Sequence, residues 1–319
     1  MLTNFRSLLF TLLALAAAGA HAQQVWPSKP IRWLVPFSPG GPADVVARVV
    51  AQGLAEHVGQ PNIVENRPGA AGNVAHDVAA KAAPDGYTLL FVVPSIITNP
   101  FYFKASVDPF KELASVIHLD NASLVLVASP KFSAANVADV VARIKANPGK
   151  VSCGSSGALP SVSCEMLRAH AGVDMLMVQY KGNAPALTAL MGGEIDLMFD
   201  VVNIAASHIK SGRVRGIAST APRRGIGPLG ELPVMDETIP GFELATWHGV
   251  MAPAGMAREL RVRINQELNA VLQSPTVRER LLTSGLEIAG GSPEEFDEIL
   301  RRDFEKYGKV LRAAGVNPE

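Results

Sequence analysis

The residues best placed to do chemistry in this chain are Ser38-Pro39-Gly40-Gly41-Pro42-Ala43-Asp44, between two apolar patterns of different period. Before them runs Ile31-Arg32-Trp33-Leu34-Val35; after them Val45, Val46, Val49, Val50 and Leu54 recur at helical spacing, with Arg48, Gln52 and Glu56 on the other side. The pattern predicts strand, loop, helix. Gly40 and Gly41 carry no side chain to keep a ligand from the backbone, and amides at a helix start, backed by the helix dipole, favour an anion. Such a loop holds a carboxylate without lysine or arginine. Two glycines before a helix also make an ordinary turn, and the G-x-G-x-x-G dinucleotide fingerprint is absent.

Other reactive constellations are missing. There is no G-x-S-x-G elbow and no H-E-x-x-H helix, which argues against an enzyme. The two cysteines, Cys153 and Cys164, make no C-x-x-C motif and are too few for a zinc site. They form either a disulfide, allowed in an exported protein, or two buried thiols. No cofactor is expected. Asp44 fits a cap on its helix or a contact to a ligand amine. Arg67 fits a brace on its loop or a partner for a second carboxylate. Ser95 and Thr98, past an apolar run, fit ligand hydroxyl donors or loop stabilisers. Asp200 stands at the end of a strand, where it lines a crevice or a solvated turn. His248 beside Trp247 reads as a pH latch or a hydrogen-bonded structural histidine.

These residues sit on a repeated alternation. Strands are predicted over 62–66, 87–93, 123–129, 151–153, 175–180, 195–199, 214–219 and 244–251. Helices are predicted up to 83 and over 137–146, 162–171, 185–191, 259–272, 276–284 and 293–314, the last three returning over the first domain. Residues 221–241, rich in proline and glycine, read as a long surface connection. The alternation predicts an α/β chain with mostly parallel sheets flanked by helices, whose ligands sit at the carboxyl ends of strands.

At the N-terminus Arg6, the apolar stretch 8–18 and Ala20-His21-Ala22 predict a cleavable signal peptide over 1–22. The apolar stretch is shorter than the ~20 residues a spanning helix needs. No cysteine follows the cleavage point, so no lipoprotein is expected. Taking Arg6 from a balance of 29 basic and 29 acidic residues leaves a net charge of −1, which excludes a nucleic-acid surface. The length favours two domains.

The chain resembles the Bug, or tripartite tricarboxylate transporter, substrate-binding proteins of the bacterial periplasm. The resemblance rests on Trp26-Pro27-Ser28-Lys29-Pro30-Ile31, on 35–41 with Asp44 and Ala47-Arg48, and on 64–73. It continues in Pro84-Asp85-Gly86-Tyr87-Thr88-Leu89, Tyr180-Lys181-Gly182, Gly192-Gly193-Glu194-Ile195-Asp196 and Trp247-His248-Gly249-Val250. It implies a two-lobed type II periplasmic-binding-protein fold, a Venus flytrap. Lobe 1 would be 23–126 plus 248–319 and lobe 2 127–247, with crossings near Val127 and Trp247. It also implies a monomer that binds a small organic acid, a mono- or dicarboxylate including aromatic and amino acids. The partner would be a membrane permease of the tripartite tricarboxylate type, or alternatively a membrane receptor that reads the liganded form.

In that cleft Pro39, Gly40, Gly41, Ala43 and Asp44 are expected on one wall with Ser95. Ser155, Ser156 and Gly157 are expected on the facing wall, with Tyr180, Asn183 and Asp200 around it. One departure stands out. Family members usually show glycine then serine or threonine, with a histidine three residues on, where this chain reads Gly157-Ala158-Leu159-Pro160-Ser161. The facing wall lacks a hydroxyl and an imidazole, which widens the ligand range toward apolar acids.

Overall fold

A computed structural model describes residues 26–318 except 105, 106, 156, 181, 222, 225–228, 243 and 314. The expected signal peptide and Ser156 lie outside the described residues. Strands β1 (Ile31–Val35), β2 (Asn62–Asn66) and β3 (Thr88–Val92) pair in parallel in the order β2-β1-β3. Helix α1 (Pro42–Val58) follows β1 and α2 (Asn73–Ala80) follows β2. The short α3 (Ser95–Thr98) follows β3.

Sequence period explains these elements. In α1 the buried Ala43, Val46, Ala47, Val50, Ala51 and Leu54 fall on one stripe; Pro42 opens the helix, and Gly59, at φ +68°, closes it in a left-handed turn that glycine adopts without strain. In β3, Leu89 and Phe91 join one core while Leu90 and Val92 join another on the opposite face. A strand buried on both sides needs apolar residues at every position, which is why 89–92 read as a continuous run.

The chain then enters β4 (Leu113–Ala128), the longest strand. Residues 113–123 pair antiparallel with β9 (Ala245–Pro253), and 124–128 pair with β7 (Leu197–Val201) and β8 (Arg215–Ser219). Beyond β4 the α/β alternation resumes through α4 (Val137–Ala146), β5 (Ser152–Ser155) and α5 (Ala158–Ala171). It continues with β6 (Leu176–Gln179), α6 (Asn183–Gly192), β7 and α7 (Val202–Lys210). Strands β6, β5 and β7 are parallel neighbours. Helices α8 (Arg258–Gln273) and α9 (Pro275–Thr283) pack on α1, and β10 (Glu287–Ile288) adds to β4. Helix α10 (Pro293–Ala313) lies on β4 and buries Phe296, Leu300, Tyr307 and Leu311. Among the described residues the strands form one mixed sheet, parallel within β2-β1-β3 and β6-β5-β7 and joined antiparallel through β9 and β4.

Two segments differ from the sequence reading. Strand β4 begins ten residues earlier, because Ser115, His118 and Asp120 interrupt the apolar run yet are buried beside β9. The stretch 221–241 is anchored rather than lying wholly on the surface: Leu229, Val234, Met235 and Ile239 are buried and Val234 bridges to Ser219, while Arg223, Arg224, Glu237 and Gly241 are exposed. Cys153 and Cys164 form a disulfide that ties β5 to α5 across 11 residues. Closing a loop that short removes unfolded-chain entropy worth about 3 kcal/mol.

Candidate functional site

Six loops leave the carboxyl ends of parallel strands, three in each group: after β1, β2 and β3, and after β5, β6 and β7. In the first, Gly40 takes φ +78°, open to glycine without strain, and its N–H donates to Asp44 Oδ2 at 2.9 Å. The Gly41 N–H turns to Ser38 O at 3.3 Å. These two amides are therefore spent on the loop's own shape. The donors left are those of Ala43 and Asp44 in the first turn of α1, which no helix satisfies from within.

Asp44 is buried, and both of its oxygens are engaged. Oδ2 also accepts from Arg48 Nε at 2.9 Å, and Oδ1 accepts from Asn66 Nδ2 at 2.8 Å. Burial alone would raise its pKa; the hydrogen bonds from Arg48, Gly40 and Asn66 outweigh that and hold the carboxyl below the ordinary range. Asp44 thus knots the first loop to α1 and to the end of β2. Asp44→Ala leaves the Gly40 amide unmatched and one of the two Asn66 amide hydrogens, the other staying on Phe37 O. Urea unfolding is expected to show a loss of about 2 kcal/mol, with weaker binding of any ligand seated on this loop. A loss under half of that would show the knot to be dispensable.

The second loop departs further from ordinary backbone. Gly69, Ala70, Ala71 and Gly72 all take positive φ, at +134°, +45°, +54° and +102°. Alanine rarely adopts that region, and such strain collects at functional sites. Asn99 holds the loop by donating from Nδ2 to Ala71 O (3.1 Å) and to Asn73 Oδ1 (2.8 Å). Arg67 pairs with Glu65, a brace within its own strand end. After β3, Ser95 opens α3 and its buried hydroxyl has no partner; the same holds for Thr98.

Across the sheet, Ser155 Oγ donates to Gly157 O at 2.9 Å and shares a 2.5 Å hydrogen bond with Ser161, which also accepts from Gln179 Nε2 at 3.1 Å. The Tyr180 N–H donates to Ser155 O at 2.8 Å, joining the loops after β5 and β6. Asn183, first residue of α6, donates to Asp200 Oδ1 at 2.6 Å, joining the loops after β6 and β7. Asp200 is buried; Oδ1 also accepts from the Val201 amide while Oδ2 has no partner. Burial pushes its pKa up to about 6, with the bonds from Asn183 and Val201 pulling the other way.

The structure therefore joins Gly40 with Asp44, Ser155 with Tyr180, and Asn183 with Asp200. His248, expected at a crossing, is enclosed with Nδ1 at 2.7 Å from Asp120 Oδ1, a structural pair. Sequence reasoning passed over His76, which is buried on the Ala75–Ala79 side of α2. The available signal was a polar ring on an apolar helix face. Among the described residues no group of three or more histidine, cysteine or acidic side chains could hold a metal, and no helix is long and apolar enough to cross a membrane.

The sequence profile described as tripartite tricarboxylate transporter family receptor, TctC, matches residues 46–316. A UPF0065 protein from the tcbD-tcbE intergenic region of Pseudomonas sp. (strain P51) is 33% identical over 306 residues, spanning 94% of this chain and 91% of that protein. Protein BugT of Bordetella pertussis is 32% identical, spanning 95% of both. Among solved structures, Rpa4515 of R. palustris with adipate superposes at a TM-score of 0.86 with 31% identity, covering 92% of this chain and all of that one. MatC (Rpa3494) of Rhodopseudomonas palustris with bound malate gives 0.80 with 27% identity, covering 90% of this chain and all of that one. With the profile covering most of its length and relatives above 30% identity along nearly all of it, this chain belongs to the tripartite tricarboxylate transporter receptor family, TctC.

Proposed function

We propose that the chain is a periplasmic solute-binding protein that captures a small organic carboxylate between two lobes and hands it to a permease of the tripartite tricarboxylate type. One observation carries the reading. Two sets of three loops stand at the carboxyl ends of parallel strands, and each loop opens a helix whose first-turn amides have no partner within that helix. A carboxylate leaving water needs several donors, and helix starts supply them without a formal positive charge. Adipate in one relative and malate in another fit that chemistry.

A lobe boundary within β4 is supported by its change of partner between Ser123 and Leu124, a few residues before the expected crossing at Val127. The expected bounds, lobe 1 to Leu126 and again from His248 with lobe 2 between, lie within three residues of that change. On the lobe 1 wall the first-turn amides of Ala43 and Asp44 are the donors, shaped by Pro39, Gly40 and Gly41. Ser155 and Gly157 form the facing wall with Tyr180 and Asn183. The test is a thermal-shift screen of the mature chain against aliphatic, aromatic and amino acids. At 100 times its Kd, a ligand of the native state adds about 2.7 kcal/mol of stability, a shift of several degrees. No shift with any carboxylate, or turnover of one into product, would overturn the proposal.

A further inference from the structure

Four buried polar atoms without partners lie on lobe 1 elements that touch one another: His76 Nε2, Ser95 Oγ, Thr98 Oγ1 and Asn99 Oδ1. His76, Thr98 and Asn99 are enclosed almost completely. Asn99 sits where α3 meets the strained second loop, and α3 also contacts α5 of the other strand group. His76 lies at the same junction. A methyl group placed on Gly72 would come 3.1 Å from the Pro36 ring and 3.2 Å from His76 Nε2. The free imidazole nitrogen therefore lies against the second glycine loop at Gly72, whose other neighbour is Pro36, the residue that leads into the first glycine loop.

Folded proteins rarely leave such atoms unmatched, and four in one neighbourhood call for a partner. Their chemistry defines it. Asn99 must keep its nitrogen toward the Ala71 carbonyl, which leaves its oxygen as a pure acceptor. That oxygen needs a donor and repels a carboxylate. Burial pushes the His76 pKa down to about 4, so the ring is neutral and brings no positive charge. The two hydroxyls donate or accept as required. Asp200, at the end of β7 in lobe 2, adds another unmatched acceptor.

Resting on the function proposed above, we infer that His76, Ser95, Thr98 and Asn99 form a subsite for an uncharged hydroxyl or amide at the far end of the ligand, making an ω-hydroxy or ω-amide monocarboxylate preferred over a dicarboxylate. The atoms are closed off in this conformation, so the group reaches them as α3 and the second loop part.

Isothermal titration of the mature chain at pH 7.5 tests this without any variant, using succinate, glutarate and adipate against 4-hydroxybutyrate, 5-hydroxypentanoate and 6-hydroxyhexanoate. The expected result is that, at the best-bound length, the hydroxy acid binds about ten-fold tighter than the diacid, the loss of one hydrogen bond to a buried group. Thr98→Val, which keeps the side-chain shape and removes one hydroxyl, should narrow that gap. A diacid bound as tightly as its hydroxy partner overturns the inference and leaves the function standing. So does binding of other carboxylates but none of these six. If no carboxylate binds, the function falls and the inference with it.

Discussion

Trp247→Ala should lower the unfolding free energy by about 4 kcal/mol, within the range for emptying a buried tryptophan site. The indole is fully enclosed on β9 and stands edge-on to Phe296 of α10, ring centres 5.4 Å apart. Its N–H donates to Asp303 Oδ2 at 2.9 Å. Truncation removes three things together: a large apolar volume, an aromatic contact, and the donor that matches a buried carboxylate. The neighbourhood has little freedom to collapse around the gap. At Gly249, two residues along β9, a methyl group would sit 2.2 Å from Phe296 Cζ and 3.0 Å from Ile117 O, so backbone and ring are already in contact. Urea unfolding reads the loss. A change below 1 kcal/mol would mean that α10 re-docks without the indole, contrary to dense packing there. Trp247→Phe should cost less than Trp247→Ala, since it keeps a ring against Phe296 while giving up the hydrogen bond and the outer part of the indole volume.

The second large effect runs the other way. Asp200→Asn should stabilise the ligand-free protein at pH 7.5 and weaken ligand binding. The folded pKa of Asp200 is about 6, against an ordinary aspartate value near 3.9. Between those values the native state holds a proton that the unfolded chain has released. Its contribution therefore turns unfavourable as pH rises through 4 to 6, and reaches about 3 kcal/mol of destabilisation above pH 6. The amide variant carries no charge to bury, so its advantage should be full at pH 7.5 and vanish near pH 4. His76 has the opposite slope. Its folded pKa of about 4 lies below the usual histidine value, so the native state refuses a proton that the unfolded chain takes up. Stability is lost as pH falls from 6.5 to 4, again by about 3 kcal/mol. The two nearly cancel in the wild type. Asp200→Asn and His76→Gln should therefore show opposite pH slopes relative to wild type in denaturant titrations from pH 4 to 8. Parallel slopes would refute the burial assigned to one of them.

Under the proposed function, Asp200 would be an unfavourable group kept for the sake of binding. A buried carboxylate with one bare oxygen destabilises the empty protein, and a ligand donor that matches it recovers that energy on binding. Asp44 presents the contrast. It too is enclosed, but both of its oxygens are matched and its pKa is held down, so it serves shape.

Much of this protein was legible in the order of its residues. The period-two and period-3.6 patterns placed the parallel strands and the helices after them, because burial on a sheet or one helix face leaves a local signature. The glycine loops were legible because turns demand particular residues. The 113–122 half of β4 was hidden, since its polar residues find partners only on β9, more than a hundred positions away. Likewise the packing of 221–241 was concealed by proline and glycine, which report local backbone rather than what lies underneath.

The linear chain alone determined the alternation of elements, the family motifs and the loops that carry the candidate site. Only the folded arrangement decided which donors on those loops are already used. Gly40 and Gly41 looked open, but the Asp44 carboxylate and the Ser38 carbonyl take their amides. His76 and Asn99 looked ordinary until the fold left their polar atoms enclosed without partners. The reason is physical: a residue's type fixes what it can bond, while burial and neighbours brought from distant positions fix what remains for it to bond.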